Sequence, residues 1–255
     1  MFSNGCKDEV SERPPAPCQQ SEVCPSLELK GSIVYPPELS STCTTSGDLR
    51  NYSSPRAADL NGDCVDDIVT GYGLEGVSEE APGMGYVTAH NGKTGEELWR
   101  VGPELEGASY LDQIVGSPTL VDLNGDDVSD VVIGGRAGTL VAIEGKTGSV
   151  LWRFEKQEGS PVGRYNFYTL QAVGDINGDS IPDLLTANGG NSYIDPFVER
   201  SPGHLIVLSG ADGSVLGSAK TPDEMETYMS PVTYQEGEDI TYVLFGTGGE
   251  TFQGA

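Results

Sequence analysis

The sequence TLVDLNGDDVSDVVIGG spans residues 119–135, and two variants of it occur elsewhere in the chain. They are AADLNGDCVDDIVTGYG at 57–73 and AVGDINGDSIPDLLTANG at 172–189. Each variant consists of an apolar run, an acidic loop of Asp, Asn and Gly, and a second apolar run. Because the copies of a repeat are expected to fold as the same structural unit, this repeat governs the interpretation of the whole sequence.

Each copy continues into a strand–turn–strand pattern. The three continuations are YVTAHNGKTGEELWRV at 86–101, LVAIEGKTGSVLWRFE at 140–155 and LIVLSGADGSVLGSAK at 205–220. The GKTG and GADG turns supply the positive-φ positions that a tight hairpin needs. A fourth copy, SPVTYQEGEDITYVLFGTGGE at 230–250, has the same outline but lacks the acidic loop.

The repeat predicts an all-β protein, a β-propeller of four-stranded antiparallel blades. In the second copy the expected strands are roughly QIVGSPTLVDL, DVVIGGR, TLVAIEG and VLWRFE. These runs are β-branched and bounded by Gly, Asn and Asp. Four short strands repeated at spacings of 63 and 53 residues, with no helical period between them, are typical of propeller blades.

The domain organisation follows from the same pattern. Residues 1–45 are rich in proline, have no period and are predicted to be a disordered tether. The propeller is expected to occupy 46–255, with blades at about 50–105, 106–160, 161–222 and an incomplete 223–255. Four blades could close a ring, but the incomplete fourth blade favours a fragment of a seven- or eight-bladed ring.

The acidic loops have the composition of calcium sites. Calcium takes six to eight oxygen ligands, and short side chains at positions 1, 3 and 5 of a tight loop can converge on one ion. A backbone carbonyl at position 7 and a carboxylate at position 9 would complete the shell. The candidate ligands are Asp59, Asn61, Asp63, the Val65 carbonyl and Asp67; Asp122, Asn124, Asp126, the Val128 carbonyl and Asp130; and Asp175, Asn177, Asp179, the Ile181 carbonyl and Asp183.

Glycine at position 4 of each loop, Gly62, Gly125 and Gly178, permits the sharp turn. The alternative is a metal-free surface turn, but three loops with the same ligand types at the same offsets favour about three calcium ions. An EF-hand is excluded because it needs a glutamate at position 12. That position holds Thr70, Ile133 and Thr186.

The charge and the cysteine content of the chain limit which cellular compartments and which partners are compatible with it. Acidic residues outnumber basic ones, 39 to 14, so the chain repels nucleic acid and anionic membranes. Its five cysteines favour an extracellular, cell-surface or periplasmic location, with disulfides preferred over free thiols. Cys43 with Cys64 is the preferred pair. No apolar stretch is long enough to span a membrane, and the segment after Cys6 suggests a lipoprotein tether anchored at that cysteine.

The loops resemble the FG-GAP repeats, also called VCBS-like repeats, of integrin α-type propellers, over about 50–250. The resemblance implies that each loop joins the first two strands of a blade and that calcium locks this hairpin. The ends TGEELWR and TGSVLWR are instead similar to repeats of quinoprotein-type propellers. That similarity implies that Trp99 and Trp152 pack between neighbouring blades, and that Gly217 lacks this contact in the third copy.

The function indicated by these features is a non-enzymatic binding or adhesion module whose partner is a protein or a polysaccharide. A calcium-propeller enzyme, either a polysaccharide lyase or hydrolase or a quinoprotein dehydrogenase, is the alternative. No motif selects a catalytic pair. His90 and His204 are isolated and lie at strand ends, and Glu79–Glu80 and Asp223–Glu224 read as solvated loop charges.

Two long insertions are the best candidates for recognition. They are LEGVSEEAPGMG at 74–85 and NSYIDPFVERSPG at 191–203, both between second and third strands, so they should emerge on one face. Loops of this length in a compact repeat are often functional. Tyr193, Phe197 and Arg200 are residue types that anchor interfaces, although an ordinary variable loop is an equally good interpretation.

Overall fold

The computed structural model describes residues 52–76, 83–105, 109–155, 166–189, 201–236 and 240–248. Strands and turns account for the regular structure of these residues, and no helix occurs among them. The predicted tether and the candidate anchor Cys6 lie outside the described residues.

The strands group by the copies of the repeat. The first sheet contains β1 (Arg56–Ala58), β2 (Asp67–Leu74), β3 (Met84–His90) and β4 (Glu97–Val101); the second contains β7 (Thr119–Val121), β8 (Asp130–Gly134), β9 (Leu140–Ile143) and β10 (Val150–Arg153); the third contains β11 (Asn166–Phe167), β12 (Gln171–Ala172), β13 (Leu184–Gly189), β14 (His204–Leu208) and β15 (Val215–Lys220). A hairpin of β16 (Val232–Glu236) and β17 (Ile240–Leu244) follows, and β5 (Glu104–Leu105) pairs with β6 (Ser109–Tyr110) between the first two sheets.

The first two sheets are antiparallel meanders in which strands that follow one another in the chain are paired. In the third sheet β11 and β12 both pair with β13, and β13, β14 and β15 are paired in chain order. Tight turns produce this order, because a short turn can only return the chain beside the strand it has just left. The GKTG and GADG turns have their last glycines, Gly95, Gly148 and Gly213, at φ values of +72° to +78°. The prediction of an all-β chain built from four-stranded antiparallel blades is confirmed.

The first strand of a blade is shorter than the sequence suggested. Of QIVGSPTLVDL, only β7 pairs as a strand, with a separate bridge between Ile114 and Gly135. Pro118, which has no N–H to donate to a ladder, lies within this break. The segment beside it bonds to the next blade instead, since the Ser117 N–H donates to Thr169 Oγ1 at 2.8 Å. In the third sheet the same break separates β11 from β12.

The apolar core lies between the sheets rather than within one of them. One cluster joins the first and second blades, with Val69, Trp99 and Val131 among its buried members. A second cluster joins the second and third blades and includes Trp152 and Ile206. The second sheet therefore buries both faces, which explains why its central strands, β8 and β9, are buried at every position rather than at alternate ones.

A tryptophan of one blade donates a hydrogen bond to the turn between the third and fourth strands of the next blade. The Trp99 Nε1–H donates to the Gly145 carbonyl at 2.6 Å, and the Trp152 Nε1–H donates to the Gly210 carbonyl at 2.8 Å. Both side chains are buried, with 7% and 8% of their surface exposed. The prediction that these tryptophans pack between neighbouring blades is confirmed.

The third blade lacks this contact, as its sequence predicted. Gly217 stands where the other two blades have tryptophan, and no described atom lies within 4 Å of a Cβ placed there. The apolar residue at position 2 of the acidic loop is likewise buried in the first two blades and exposed in the third. Leu60 and Leu123 are buried, whereas Ile176 is 61% exposed.

Alanine at Gly148 should destabilise the protein more than alanine at Gly95. The two glycines have nearly the same left-handed backbone, φ +76° and +78°, so both substitutions carry a similar conformational penalty of about 1 kcal/mol. Only at Gly148 would the new Cβ meet the neighbouring blade, 2.7 Å from the Trp99 Cβ. Overpacking of this kind adds about 1–3 kcal/mol. Urea denaturation measures the difference, and equal losses in the two variants would contradict the interblade packing.

Candidate functional site

The three acidic loops occupy equivalent places in the three sheets. They connect β1 to β2, β7 to β8 and β12 to β13, which are the first and second strands of each blade. This is the placement that the FG-GAP resemblance implied. The turn between third and fourth strands lies beside each loop, since a Cβ on Gly92, Gly145 or Gly210 would collide with the carbonyl of the residue at position 8 of its loop.

The aspartate at position 1 organises each loop. In the first loop, Asp59 Oδ1 accepts the Gly62 N–H at 2.8 Å, and Oδ2 accepts the Cys64 N–H at 2.9 Å. The same two bonds recur from Asp122 to the N–H groups of Gly125 and Asp127, at 2.7 and 3.0 Å, and from Asp175 to those of Gly178 and Ser180, at 2.6 and 2.8 Å. Three copies of one bonding pattern indicate one loop structure encoded three times.

Positions 3 and 5 extend the pattern. Asn61 Oδ1 accepts the Asp63 N–H at 2.9 Å, and Asp63 Oδ1 accepts the Val65 N–H at 3.0 Å. The pairs Asn124 and Asp126, and Asn177 and Asp179, make the same bonds in the other loops. The glycines at position 4, which the sequence analysis assigned to a sharp turn, have left-handed backbones, with φ values of 77°, 79° and 84°.

Position 6 is left-handed as well, and the sequence analysis missed it. Its occupants are Cys64, Asp127 and Ser180, with φ between 64° and 71°. Only one of the three, Asp127, is among the residue types that enter this region readily, so composition gave little signal for it.

The buried aspartate at position 9 connects the acidic loop to a second turn of the same blade. Asp67, Asp130 and Asp183 are fully buried. One oxygen of Asp130 accepts the Leu123 N–H at 2.9 Å, and the other accepts the Gly145 N–H at 3.1 Å. Asp67 and Asp183 make the equivalent bonds to position 2 of their own loop and to Gly92 and Gly210. The carboxylate therefore ties the acidic loop to the turn between the third and fourth strands.

Burial and neighbouring charges act on the pKa values of the loop carboxylates. Burial raises the pKa of Asp130 to about 6, while the N–H groups of Leu123 and Gly145 act to lower that pKa. The negative charges of Asp126 and Asp122 raise the pKa further. In the third loop the exposed carboxylate of Asp175 behaves differently, since hydrogen bonds from backbone N–H groups, that of Ser180 first, lower its pKa.

The donor set of these loops suits a hard cation, because it consists of carboxylate, amide and carbonyl oxygens. Among the described residues, no three His, Cys, Asp or Glu side chains gather as a metal-binding group by themselves. The predicted ligand set also contains the Asn at position 3 and the carbonyl at position 7, and it stays a prediction.

Cys64 lies within the first acidic loop and forms a disulfide. The other four cysteines of the sequence precede residue 51, outside the described residues, so the choice of Cys43 as its partner stays a prediction. The bond places a covalent crosslink inside a candidate calcium loop. The corresponding positions in the other two loops are Asp127 and Ser180.

The opposite face of the blades carries the two insertions, between β2 and β3 and between β13 and β14, as predicted. The base of the first insertion is held by the second blade, because Asp112, only 3% exposed, accepts the Gly83 N–H at 2.6 Å and the Gly76 N–H at 3.3 Å. The anchor candidates Tyr193, Phe197 and Arg200, and the pair Glu79–Glu80, lie outside the described residues.

A second group of polar residues lies beside this base. Arg136, in the turn between β8 and β9, pairs with Glu75 at 3.3 Å and donates through Nε to Gln113 Oε1 at 3.0 Å. The buried Gln113 in turn donates to the Gly73 carbonyl at 3.2 Å. Sequence analysis missed this cluster because its members are scattered over three segments and belong to no motif.

The two histidines lie where the sequence placed them, with His90 ending β3 and His204 beginning β14. Burial lowers the pKa of His204, and the charge of Lys220 lowers it further. Asp223 and Glu224 are exposed. The described residues form no helix long and apolar enough to cross a membrane.

Solved structures similar to the chain include propellers, at low identity. Sqt1 from Saccharomyces cerevisiae shares 13% identity, with 70% of this chain covering 44% of that one at a TM-score of 0.42. The Dos1 propeller shares 15%, covering 74% and 44% at a TM-score of 0.40. Quinohemoprotein alcohol dehydrogenase from Comamonas testosteroni shares 17%, covering 66% and 28% at 0.40. The chain thus spans less than half the length of each of these structures.

One protein-family model matches more than half of the chain. No curated protein matches the chain. A family model described as the FAM234A/B beta-propeller matches residues 86–254. The matched region starts within β3 of the first blade, contains the second and third blades in full, and includes the β16–β17 hairpin. The chain therefore belongs to the FAM234A/B beta-propeller family.

Proposed function

We propose that this propeller is a calcium-stabilised, non-enzymatic binding module that works outside the cytosol. The observation that carries the proposal is the threefold recurrence of one acidic loop, with the same two hydrogen bonds to its position-1 aspartate, on one face of the blades. The disulfide at Cys64 supports an oxidising compartment, because such bonds are rare in the cytosol. The FG-GAP resemblance of the loops fits the same interpretation.

Calcium would relieve a repulsion that the fold creates. Each loop brings several carboxylates into a short segment of a chain whose net charge is −25. Like charges at short range disfavour one another, and burial adds to this at Asp130, whose pKa is raised to about 6. A divalent cation would favour the ionised form of every loop carboxylate that it touches.

Chelation of calcium should lower the melting temperature by several degrees. A ligand that binds only the folded state stabilises it by about 2.7 kcal/mol per site at a hundredfold excess over its dissociation constant. Magnesium should rescue poorly because it prefers near-ideal octahedral geometry and keeps its waters. Differential scanning calorimetry in calcium, in chelator and in magnesium measures the effect. An unchanged melting curve in chelator would contradict the calcium proposal.

Two neighbouring aspartates provide a matched pair of variants. Asp126→Asn should reduce stabilisation by calcium, whereas Asp127→Asn should leave it unchanged, because only Asp126 is a predicted ligand. Each substitution removes one charge. Asparagine keeps the acceptor that Asp126 offers to the Val128 N–H, and it tolerates the left-handed backbone of Asp127. The readout is the calcium-dependent shift in melting temperature, and equal shifts in the two variants would argue against the predicted ligand set.

Recognition is best assigned to the face that carries the insertions. The loop face is occupied by tight turns and by carboxylates engaged with backbone N–H groups, so it offers little variable surface. The insertion at 74–85 starts from a base that is connected to the second blade by the hydrogen bond of Asp112 and by the Arg136–Glu75 pair. A variable loop on a rigid scaffold is the common arrangement of binding sites.

The assignment can be tested by loop replacement within the same chain. The turn GRAGT at 135–139 connects a second strand to a third, so it is a matched donor to replace the insertion between Gly189 and His204. Cell-surface binding should be lost while the melting temperature is kept. A second graft, between Leu74 and Met84, tests the other insertion. Binding that survives both grafts would place the recognition site elsewhere.

A further inference from the structure

One of the three acidic loops carries a covalent crosslink. Position 6 is Cys64 in the first loop, Asp127 in the second and Ser180 in the third, and all three have left-handed backbones, with φ values of 64°, 64° and 71°. Cys64 is disulfide-bonded and exposed. Neither of the other two loops contains a cysteine. The first loop therefore has a covalent restraint that its two counterparts cannot form.

Position 6 lies among the predicted calcium ligands of its loop. It separates the Asp63 side chain from the Val65 carbonyl, and the Cys64 N–H donates to Oδ2 of Asp59 at 2.9 Å. Asp63 Oδ1 in turn accepts the Val65 N–H at 3.0 Å. A displacement of the Cys64 backbone would therefore move three predicted ligands of one ion together.

We propose that the Cys64 disulfide sets the calcium affinity of the first loop, so that a dithiol reductant weakens this site and leaves the other two unchanged. The inference rests on the proposed calcium binding and adds its regulation. A left-handed backbone is unfavourable for cysteine. The crosslink limits the conformations open to the empty loop, and a loop held in its binding conformation binds more tightly. Once the crosslink is cut, calcium must order the loop as it binds.

The reaction is a thiol–disulfide exchange. One thiolate of the dithiol attacks a sulfur of the Cys64 disulfide, the S–S bond breaks, and the released cysteine thiolate takes up a proton. The second thiol of the reagent then displaces the remaining cysteine and closes a cyclic disulfide. The protein gains two electrons and two protons, which the dithiol supplies. Because Cys64 is exposed, the reagent has access to this bond.

Amide NMR on the full chain can follow each loop separately, because position 4 is a glycine in all three. Calcium is titrated into chelator-treated protein, before and after reduction with dithiothreitol. The calcium midpoint of the Gly62 amide should rise about tenfold on reduction, since the cost of a left-handed backbone is of that order. The midpoints of Gly125 and Gly178 should stay unchanged. A shift shared by all three glycines, or no shift at Gly62, would overturn the proposal.

Cys64→Ser separates this disulfide from any other in the chain. Serine occupies the same position in the third loop, as Ser180, at φ 71°. The variant should have the weak Gly62 midpoint of the reduced protein, and dithiothreitol should not weaken it further. Calcium binding at Gly62 as tight as in the oxidised protein would contradict the role of the crosslink.

A second measurement uses the unmodified chain and does not depend on how the variant folds. Coupling between two binding equilibria is reciprocal, so calcium must favour the disulfide by the factor with which the disulfide favours calcium. Saturating calcium should lower the reduction potential of the Cys64 disulfide by about 30 mV for a tenfold coupling. Mass spectrometry of alkylated Cys64, at graded ratios of reduced to oxidised dithiothreitol, measures this potential.

The outcomes distinguish this inference from the proposed function on which it rests. If all three glycines respond to calcium but the potential of the Cys64 disulfide is independent of calcium, the regulation is wrong and the calcium sites stand. If none of the three glycines responds to calcium, the calcium sites are wrong and the regulation falls with them.

Discussion

A buried carboxylate between two backbone N–H groups is the interaction on which the rest of this structure depends. Asp130 shows it most clearly, since one oxygen holds the acidic loop through Leu123 and the other holds the next turn through Gly145. The carbonyl of Gly145 then accepts the indole N–H of Trp99 from the preceding blade. One glycine therefore links the loop of its own blade to the packing between blades. Hydrogen bonds to a charged acceptor are the stronger kind, so this linkage justifies the burial of an aspartate.

The repeat made much of this architecture predictable. The turn of each acidic loop can be predicted from the loop's own sequence, because Asp at position 1 and Gly at position 4 are hydrogen-bonded to each other within a few residues. The tryptophans were placed correctly because their strand-end pattern occurs twice in the same register. What the sequence did not predict are contacts between distant segments. The Ser117 N–H bonds to Thr169 of the next blade, and Arg136 lies beside Glu75 in the polar cluster, pairings that no local pattern encodes.

The candidate site likewise has features that the local sequence predicts and contacts between distant segments that it does not. The types and offsets of the loop oxygens follow from the sequence. The hydrogen bonds by which Asp67, Asp130 and Asp183 connect the loop to a second turn do not, because the glycines that donate them lie 15 to 27 residues away in the chain. These donors are glycines for a steric reason. A side chain on Gly145 would strike the Ser129 carbonyl, so the turn could not approach the loop closely enough to donate. The three turn glycines are thus requirements of packing as well as of backbone conformation.

The disulfide of Cys64 changes how the molecule would bear a pulling force. Every other cysteine precedes residue 51, so the bond closes a covalent ring that contains β1 and the start of the first acidic loop. Tension applied from the N-terminal side of that ring would bypass β1 and reach the blade at the loop itself. The strand that a pulled polypeptide would normally peel away first is shielded. The load instead falls on β2, a long central strand paired on both sides, where many hydrogen bonds share it.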